Sequence, residues 1–112
     1  MVKTIKIDGV NYDMKSSAYT QFAYKDLTGR SFLGDIQKLT ELKGDDFLKV
    51  DGLIETILDI AYVMVQEADS SKYKNEQDFI KSINVLFDDP SWIEEVIELA
   101  ITPLSTGNIK TH

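Results

Sequence analysis

The chain has 112 residues, of which 43% are apolar and 28% are charged, and its formal net charge at pH 7 is −7. This length and balance suit one globular domain that buries roughly two-thirds of its unfolded surface, and they exclude a chain that stays disordered. The absence of cysteine excludes disulfides and thiolate metal sites.

An N-terminal β-hairpin is predicted over residues 3–15. Residues 3–7 and 10–15 alternate apolar and polar side chains, which is the period of half-buried strands. Asp8-Gly9 lies between them, and glycine tolerates the positive φ that tight hairpin turns require. Because an isolated hairpin is only marginally stable in water, its apolar side should pack on the following helices or on a neighbouring copy.

A first helix is predicted over residues 18–28, within a helical part that extends over residues 17–102. Ser16-Ser17 resembles an N-cap, and Gly29 is a natural stop. Asp26 interrupts the apolar face, and an i,i+4 pair with Arg30 explains it better than a catalytic role does. The apolar residues assigned to one face are Ala18, Tyr19, Phe22, Ala23 and Leu27.

Ser31 should cap a second helix, and a polar loop over residues 43–46 should follow it. The longest helix is then predicted from Phe47 or Val50 to Ala68. Its apolar residues cover an arc of about 160°, wide enough to contact several elements, so we place this helix at the centre of the fold. The second helix carries a stripe made of Phe32, Leu33, Ile36, Leu39 and Leu42.

An acidic stripe lies opposite the apolar arc of the long helix. Asp51, Glu55 and Asp59 are spaced at i, i+4 and i+8, which mildly destabilises a helix through like-charge repulsion. One interpretation is a solvated face that favours solubility. The other is a docking surface, with Tyr62 and Val63 as the less polar neighbours that would give it contact area.

Two further helices complete the predicted fold, which is α+β and predominantly α. Asn75 to Asp78 resembles a capping box that opens a fourth helix with an apolar stripe running to Phe87. Asp89-Pro90 is a strong start for a fifth helix over residues 91–101, which ends before Pro103. Residues 104–112 are expected to form a flexible tail of a single domain that spans residues 1–112.

The fifth helix has an unusually wide apolar arc, about 200° at the helical period of 100° per residue. It includes Trp92, Ile93 and Ile97, and it leaves three glutamates for water. Either the domain nearly encloses this helix, or part of the arc contacts another chain. Trp92 suits both readings, since tryptophan serves as a core residue and as an interface anchor.

No catalytic, cofactor-binding or metal-binding signature is recognised. The one histidine is His112, the final residue, and the capping role of Asp89 accounts for the Asp88-Asp89 pair. Phosphate-binding and acyl-transfer motifs are absent. The sequence therefore predicts no enzyme, no cofactor and no metal site.

Charge is distributed unevenly along the chain. Residues 1–43 carry a net charge of +2 and residues 44–112 a net charge of −9. The acidic part is either a solvated surface or a face that attracts a basic partner or a second copy. A nucleic-acid partner is not expected, since no basic stripe occurs. No apolar run approaches the ~20 residues that span a bilayer and no signal segment is found, so we expect a soluble protein without a membrane partner.

The order of elements resembles a known family. A hairpin of the form Ile5-Lys6-Ile7-Asp8-Gly9-Val10-Asn11-Tyr12 leads to a helix that ends Asp26-Leu27-Thr28-Gly29. A restart at Ser31-Phe32-Leu33 and an acidic, helix-rich remainder follow. This chain is similar to the tail assembly chaperones of long-tailed bacteriophages and prophages, particularly those of Gram-positive hosts. The resemblance is strongest over residues 4–42, and it rests on structural motifs.

The resemblance implies a non-catalytic protein that acts in the bacterial cytoplasm during tail assembly and does not join the mature virion. Its partners would be the tail tube protein and the tape-measure protein, and it would self-associate as a ring or spiral. The candidate partner-binding residues are Asp51, Glu55, Asp59, Tyr62, Trp92, Ile93 and Ile97. A small acidic phage-type regulator that inhibits a host protein is the alternative.

Overall fold

The computed structural model describes residues 1–41, 52–86 and 89–104. These residues form an α+β fold that is predominantly α, as the sequence predicts. None of the helices in these three ranges has the length and apolar content needed to cross a bilayer. The elements in chain order are β1 (Val2–Ile7), β2 (Val10–Lys15), α1 (Thr20–Thr28), α2 (Phe32–Thr40), α3 (Leu53–Ala68), α4 (Glu76–Lys81) and α5 (Ser91–Ile101).

The predicted hairpin is present, with the predicted turn. The strands β1 and β2 pair antiparallel, and the pairing of Ile7 with Val10 leaves a two-residue turn. Asp8 and Gly9 both adopt positive φ, at 53° and 77°, the backbone signature of a turn that matches the strand twist. One face of the hairpin is buried, with β2 against α3 and β1 against α5, through Ile5, Ile7, Tyr12 and Met14.

Helix α3 is the centre of the fold, as predicted. It contacts β2, α1, α4 and α5, and nine of its sixteen residues are buried. The helix ends at Ala68 as predicted but begins at Leu53, later than Phe47 or Val50. Gly52 precedes it with φ at +84°, a left-handed conformation that a continuous right-handed helix does not accommodate. Several predicted features lie outside the described residues: the loop at residues 43–46, the helix starts at Phe47 and Val50, Leu42, Asp51, and residues 105–112 of the tail.

The chain between α4 and α5 differs from the prediction. Asn75 caps α4 as expected, accepting from the N–H of Asp78 at 2.9 Å, but the helix ends at Lys81 and does not continue toward Phe87. Tertiary hydrogen bonds replace helical ones here. The Val85 N–H donates to Asp8 Oδ2 at 3.1 Å, and Trp92 Nε1 donates to the Leu86 carbonyl at 2.8 Å.

Two predicted features of α1 differ from the structure. The helix begins at Thr20 and not at Ala18, although the Ser17 hydroxyl accepts from the Tyr19 N–H at 3.1 Å and also donates to the carboxylate of Glu67 on α3. Arg30 pairs with Asp35 and Asp59, and not with Asp26, which is exposed. For Arg30, partners on other elements replace the predicted local pair. The local signals at Gly29 and Ser31 predict correctly, since Gly29 has φ at 76° and Ser31 accepts from the Gly34 N–H.

Candidate partner-binding surface

Helix α1 exposes much of its apolar face. Tyr19, Phe22 and Leu27 are 59%, 62% and 41% exposed, and we call these three residues the α1 ridge. The buried side of the same helix is formed by Thr20 and Tyr24. The apolar residues that the sequence assigns to one face therefore do not all enter the core, and α1 presents an apolar surface to solvent.

Helical geometry explains how one helix has both an apolar core side and an apolar exposed side. At 100° per residue, the apolar positions of α1 from Phe22 through Ala23 to Tyr24 cover about 200°. Among the described elements, α1 packs mainly on α3 and α2, which cover only part of that arc. Thr20 and Tyr24 lie at one edge of the arc, where Thr20 bonds to Glu67 of α3 and Tyr24 contacts Phe32 and Asp35 of α2. Phe22 and Tyr19, toward the other edge, are exposed.

A groove runs between α1 and α3, beside the α1 ridge. It encloses about 270 Å³, and its exposed lining is mostly apolar. Tyr19, Ala23 and Leu27 supply the α1 wall. We call it the α1–α3 groove; its full lining is Tyr19, Ala23, Leu27, Tyr62, Val63, Gln66, Glu67 and Ser70.

One end of the groove is marked by Glu67. Its two carboxylate oxygens accept hydrogen bonds from the hydroxyls of Ser17 and Thr20, the latter at 2.7 Å. No lysine or arginine of the described residues forms an ion pair with it. Glu67 therefore holds the start of α1 on α3 through neutral donors.

The other end of the α1–α3 contact is centred on Arg30. Its Nε donates to Asp35 Oδ2 and its Nη2 to Asp59 Oδ2, both at 3.0 Å, so one guanidinium joins α2 and α3. The same Nη2 lies 3.0 Å from the Tyr24 hydroxyl, which itself donates to Asp35. The planar, multiply donating guanidinium suits this role better than an ammonium would.

The protonation states of this network follow from its geometry. Burial and the hydrogen bond to Asp35 raise the pKa of the Tyr24 phenol. Burial disfavours the charge of Asp35, but hydrogen bonds from Tyr24 and Arg30 outweigh it and lower the pKa of that carboxyl. Hydrogen bonds to Asp35, Tyr24 and Asp59 raise the pKa of Arg30. The network therefore has Tyr24 neutral, Asp35 ionised and Arg30 charged, and its groups satisfy one another internally.

A second carboxyl, that of Glu76 at the start of α4, lies beside Asp59. Burial, together with the hydrogen bond to Asp59 and its negative charge, raises the pKa of Glu76 to about 8, against the lowering effect of Arg30. The Oε2 atom of Glu76 is buried, and no donor among the described residues reaches it. A proton held on Glu76 allows a hydrogen bond between the two carboxyl groups and removes the repulsion that two neighbouring carboxylates would have.

The residues of the predicted acidic stripe that the structure describes do not share one environment. Asp51 lies outside the described residues, and Glu55 is exposed on α3. Asp59, by contrast, is bound to Arg30, and its side chain is only 18% exposed. Tyr62 and Val63, predicted as apolar neighbours of this stripe, are buried and line the α1–α3 groove.

The predicted residues of the last helix belong to the core of this chain. Trp92 is fully buried, and Ile93 and Ile97 are also buried. Helix α5 packs on β1, α2 and α3, so its wide apolar arc is enclosed within the domain, which is the first of the two readings that the sequence left open. A partner could reach these three side chains only if the core opened.

Sequence reasoning missed the α1 ridge and Glu67. The width of the apolar arc of α1 was the available signal, since a helix covered by few neighbours cannot bury about 200° of apolar surface. Within residues 1–41, 52–86 and 89–104, no group of three or more His, Asp or Glu side chains is arranged to hold a metal ion. No protein-family model, curated protein or solved structure was found to match the chain.

Proposed function

We propose that this chain is a non-catalytic assembly chaperone of the long-tailed phage type, which binds the tail tube protein and the tape-measure protein. The observation that carries the proposal is the α1 ridge, an exposed apolar surface beside a mostly apolar groove. Contiguous exposed apolar surface is typical of protein-binding sites. The chaperone would cover apolar surface of its partners, and its net charge of −7 would keep the complex dispersed.

The sequence resemblance supplies the identity of the partners. The hairpin turn at Asp8-Gly9 and the restart at Ser31, which carry part of that resemblance, adopt the conformations that their sequence motifs favour. In this proposal the protein acts in the cytoplasm of the bacterial host and is left out of the mature virion. Self-association as a ring or spiral belongs to the same proposal, and the uneven charge along the chain supports it through head-to-tail attraction.

Co-purification of identified partners tests the proposal. The tagged protein is co-expressed with the tail tube and tape-measure proteins of the phage or prophage that carries its gene, and we expect it to retain at least one of them. Phe22→Ser should reduce that retention, because it removes the most exposed aromatic of the α1 ridge. Leu33→Ser is the matched control, since Leu33 is 54% exposed but lies on α2, away from the groove lining.

Two outcomes would contradict the proposal. If the wild-type protein retains neither tail protein, the partners are wrong, and specific capture of a host enzyme with loss of its activity would favour the regulator alternative. If Phe22→Ser and Leu33→Ser reduce retention equally, the α1 ridge has no special role. Light scattering at several protein concentrations tests self-association separately, and a monomer throughout would remove the ring or spiral.

A further inference from the structure

The α1 wall of the α1–α3 groove is as long as two turns of a helix. Helices α1 and α3 run antiparallel, because Thr20 contacts Glu67 near one end and Arg30 contacts Asp59 near the other. Tyr19, Ala23 and Leu27 line the α1 wall at i, i+4 and i+8. At 1.5 Å per residue this wall is about 12 Å long. Two turns of a bound helix, with apolar anchors at i, i+3 or i+4 and i+7, match that length.

The composition of the walls favours a helical occupant over an extended one. Both walls are helices, whose backbone N–H and C=O groups are paired within each helix except near the ends. An extended peptide needs backbone partners to add to, as at the edge of a sheet. A helix satisfies its own backbone and contributes only side chains. The mostly apolar lining of the groove is suited to such side chains.

The charge of the groove lining favours a bound helix that carries a basic residue. Glu67 is the one formally charged residue in the described lining of the groove. Each carboxylate oxygen of Glu67 accepts one hydrogen bond from a hydroxyl. Because a carboxylate has about four acceptor sites, about two remain for a positively charged donor. No lysine or arginine of the described residues occupies that position. A lysine or arginine of a bound helix would supply the missing positive charge through a charge-assisted hydrogen bond.

We infer that the α1–α3 groove binds an amphipathic helix of a partner protein, with its apolar face on Ala23 and Leu27 and a lysine or arginine at the Glu67 end. The inference deepens the proposed function, on which it rests for the biological role of the site. It specifies that the partner presents an amphipathic helix and that a basic residue of this helix lies at the Glu67 end of the groove.

Two synthetic peptides test the inference on the full chain. Both are labelled 16-residue amphipathic helices with the same leucine and phenylalanine face. One carries lysine and arginine beside that face, and the other carries glutamate there. Fluorescence anisotropy should show that the basic peptide binds about tenfold more tightly, the size expected for one partly buried charge-assisted contact.

Matched variants separate the groove from the general acidity of the protein. Glu67→Gln should weaken binding of the basic peptide about tenfold. Glu98→Gln removes the same charge from an exposed position on α5 and should leave binding unchanged. Leu27→Asp keeps Glu67 and its hydroxyl donors, and it should weaken both peptides by placing a charge on the apolar wall. Circular dichroism and the thermal midpoint establish that each variant is folded.

Several results would overturn the inference. These are equal affinity for the two peptides, no binding of either peptide, equal effects of Glu67→Gln and Glu98→Gln, or unchanged binding by a folded Leu27→Asp variant. A wild-type dimer that Leu27→Asp dissociates would show that a second copy occupies the groove, which also overturns it.

The inference and the proposed function can fail separately. If the basic peptide binds through Glu67 and Leu27 but neither tail protein is retained, the groove is a helix-binding site and the chaperone proposal fails. If the tube or tape-measure protein is retained equally by wild type and Glu67→Gln but is lost with Phe22→Ser, the chaperone proposal stands and the groove is not its binding site.

Discussion

Helices α1 and α5 both have a wide apolar arc, but they are covered by different numbers of neighbouring elements. Each carries an apolar arc of about 200°, wider than one neighbouring helix can cover. Helix α5 lies against β1, α2 and α3, and its arc is buried, with Trp92 fully enclosed. Helix α1 packs mainly on α2 and α3, and Phe22 remains 62% exposed. The number of neighbours decides whether a wide apolar arc stabilises the domain or provides a binding surface.

The largest expected effect is on the buried helix. Trp92→Ala should lower the free energy of unfolding by about 3–5 kcal/mol, because it removes a fully buried indole and its hydrogen bond to the Leu86 carbonyl. Urea unfolding followed by circular dichroism measures the change. A loss below about 1 kcal/mol, with dissociation of an oligomer instead, would show that Trp92 is an interface anchor and would remove the contrast between the two helices.

The attachment of α1 should be the next most sensitive feature. Arg30→Ala should lower the free energy of unfolding by about 2 kcal/mol, since it leaves the largely buried carboxylates of Asp35 and Asp59 without their main cation. Lys25→Ala is the control, because it removes an exposed cation from the same helix. Equal effects of the two substitutions in urea unfolding would mean that the Arg30 network does not hold α1 in place.

The pH dependence of stability tests the carboxyl pair beside that network. The pKa of Glu76 is about 8 in the folded chain and 4.5 when unperturbed, so between these values the folded state holds a proton that the unfolded state releases. The contribution of this group to stability should therefore fall as the pH rises from 4.5 to 8. The lowered pKa of Asp35 acts in the opposite direction, and its contribution is lost as the pH falls through that lowered value.

Glu76→Gln isolates the effect of this carboxyl. The wild-type protein should lose stability between pH 5 and pH 8 relative to Glu76→Gln, because the amide cannot ionise beside Asp59. Urea unfolding at both pH values gives the comparison, with Glu98→Gln as the control for loss of a surface charge. A difference between wild type and Glu76→Gln that does not vary with pH would contradict the proton sharing.

The smallest expected effect on stability is on the exposed helix. Phe22→Ser should change the free energy of unfolding by no more than about 0.5 kcal/mol, because the ring is mostly in water. Thermal and urea unfolding measure it. A loss comparable to that of Trp92→Ala would mean that the ring is buried in solution, and α1 would then resemble α5 after all.

Features with purely local causes were predictable from the sequence. The Asp8-Gly9 turn, the stop at Gly29 and the caps at Ser31 and Asn75 all depend on residues within a few positions of each other. The centre of the fold was also predictable, because the apolar arc of α3 is long and regular. Helix existence and order follow from such signals.

Features that depend on distant partners were not predictable. The Ser17 hydroxyl accepts from the nearby Tyr19 N–H, but its second bond, to Glu67 at a separation of 50 residues, has no local signal. Arg30 does not pair with Asp26, because Asp59 offers a partly buried site 29 residues away. The candidate binding surface also depends on residues that are distant in sequence. Its residues became visible only when the structure showed how much of α1 its neighbours cover.

The enclosed position of Trp92 also has an optical consequence. It is the one tryptophan of the 112-residue chain, so its emission reports on a single site, and that site is free of contact with water. Its fluorescence should shift to longer wavelengths when the core opens. Tyr19 and Phe22 on the α1 ridge are the aromatic groups that a partner would cover. A tryptophan-free partner added to the protein should therefore leave the emission maximum almost unchanged. The emission maximum can thus distinguish binding from unfolding.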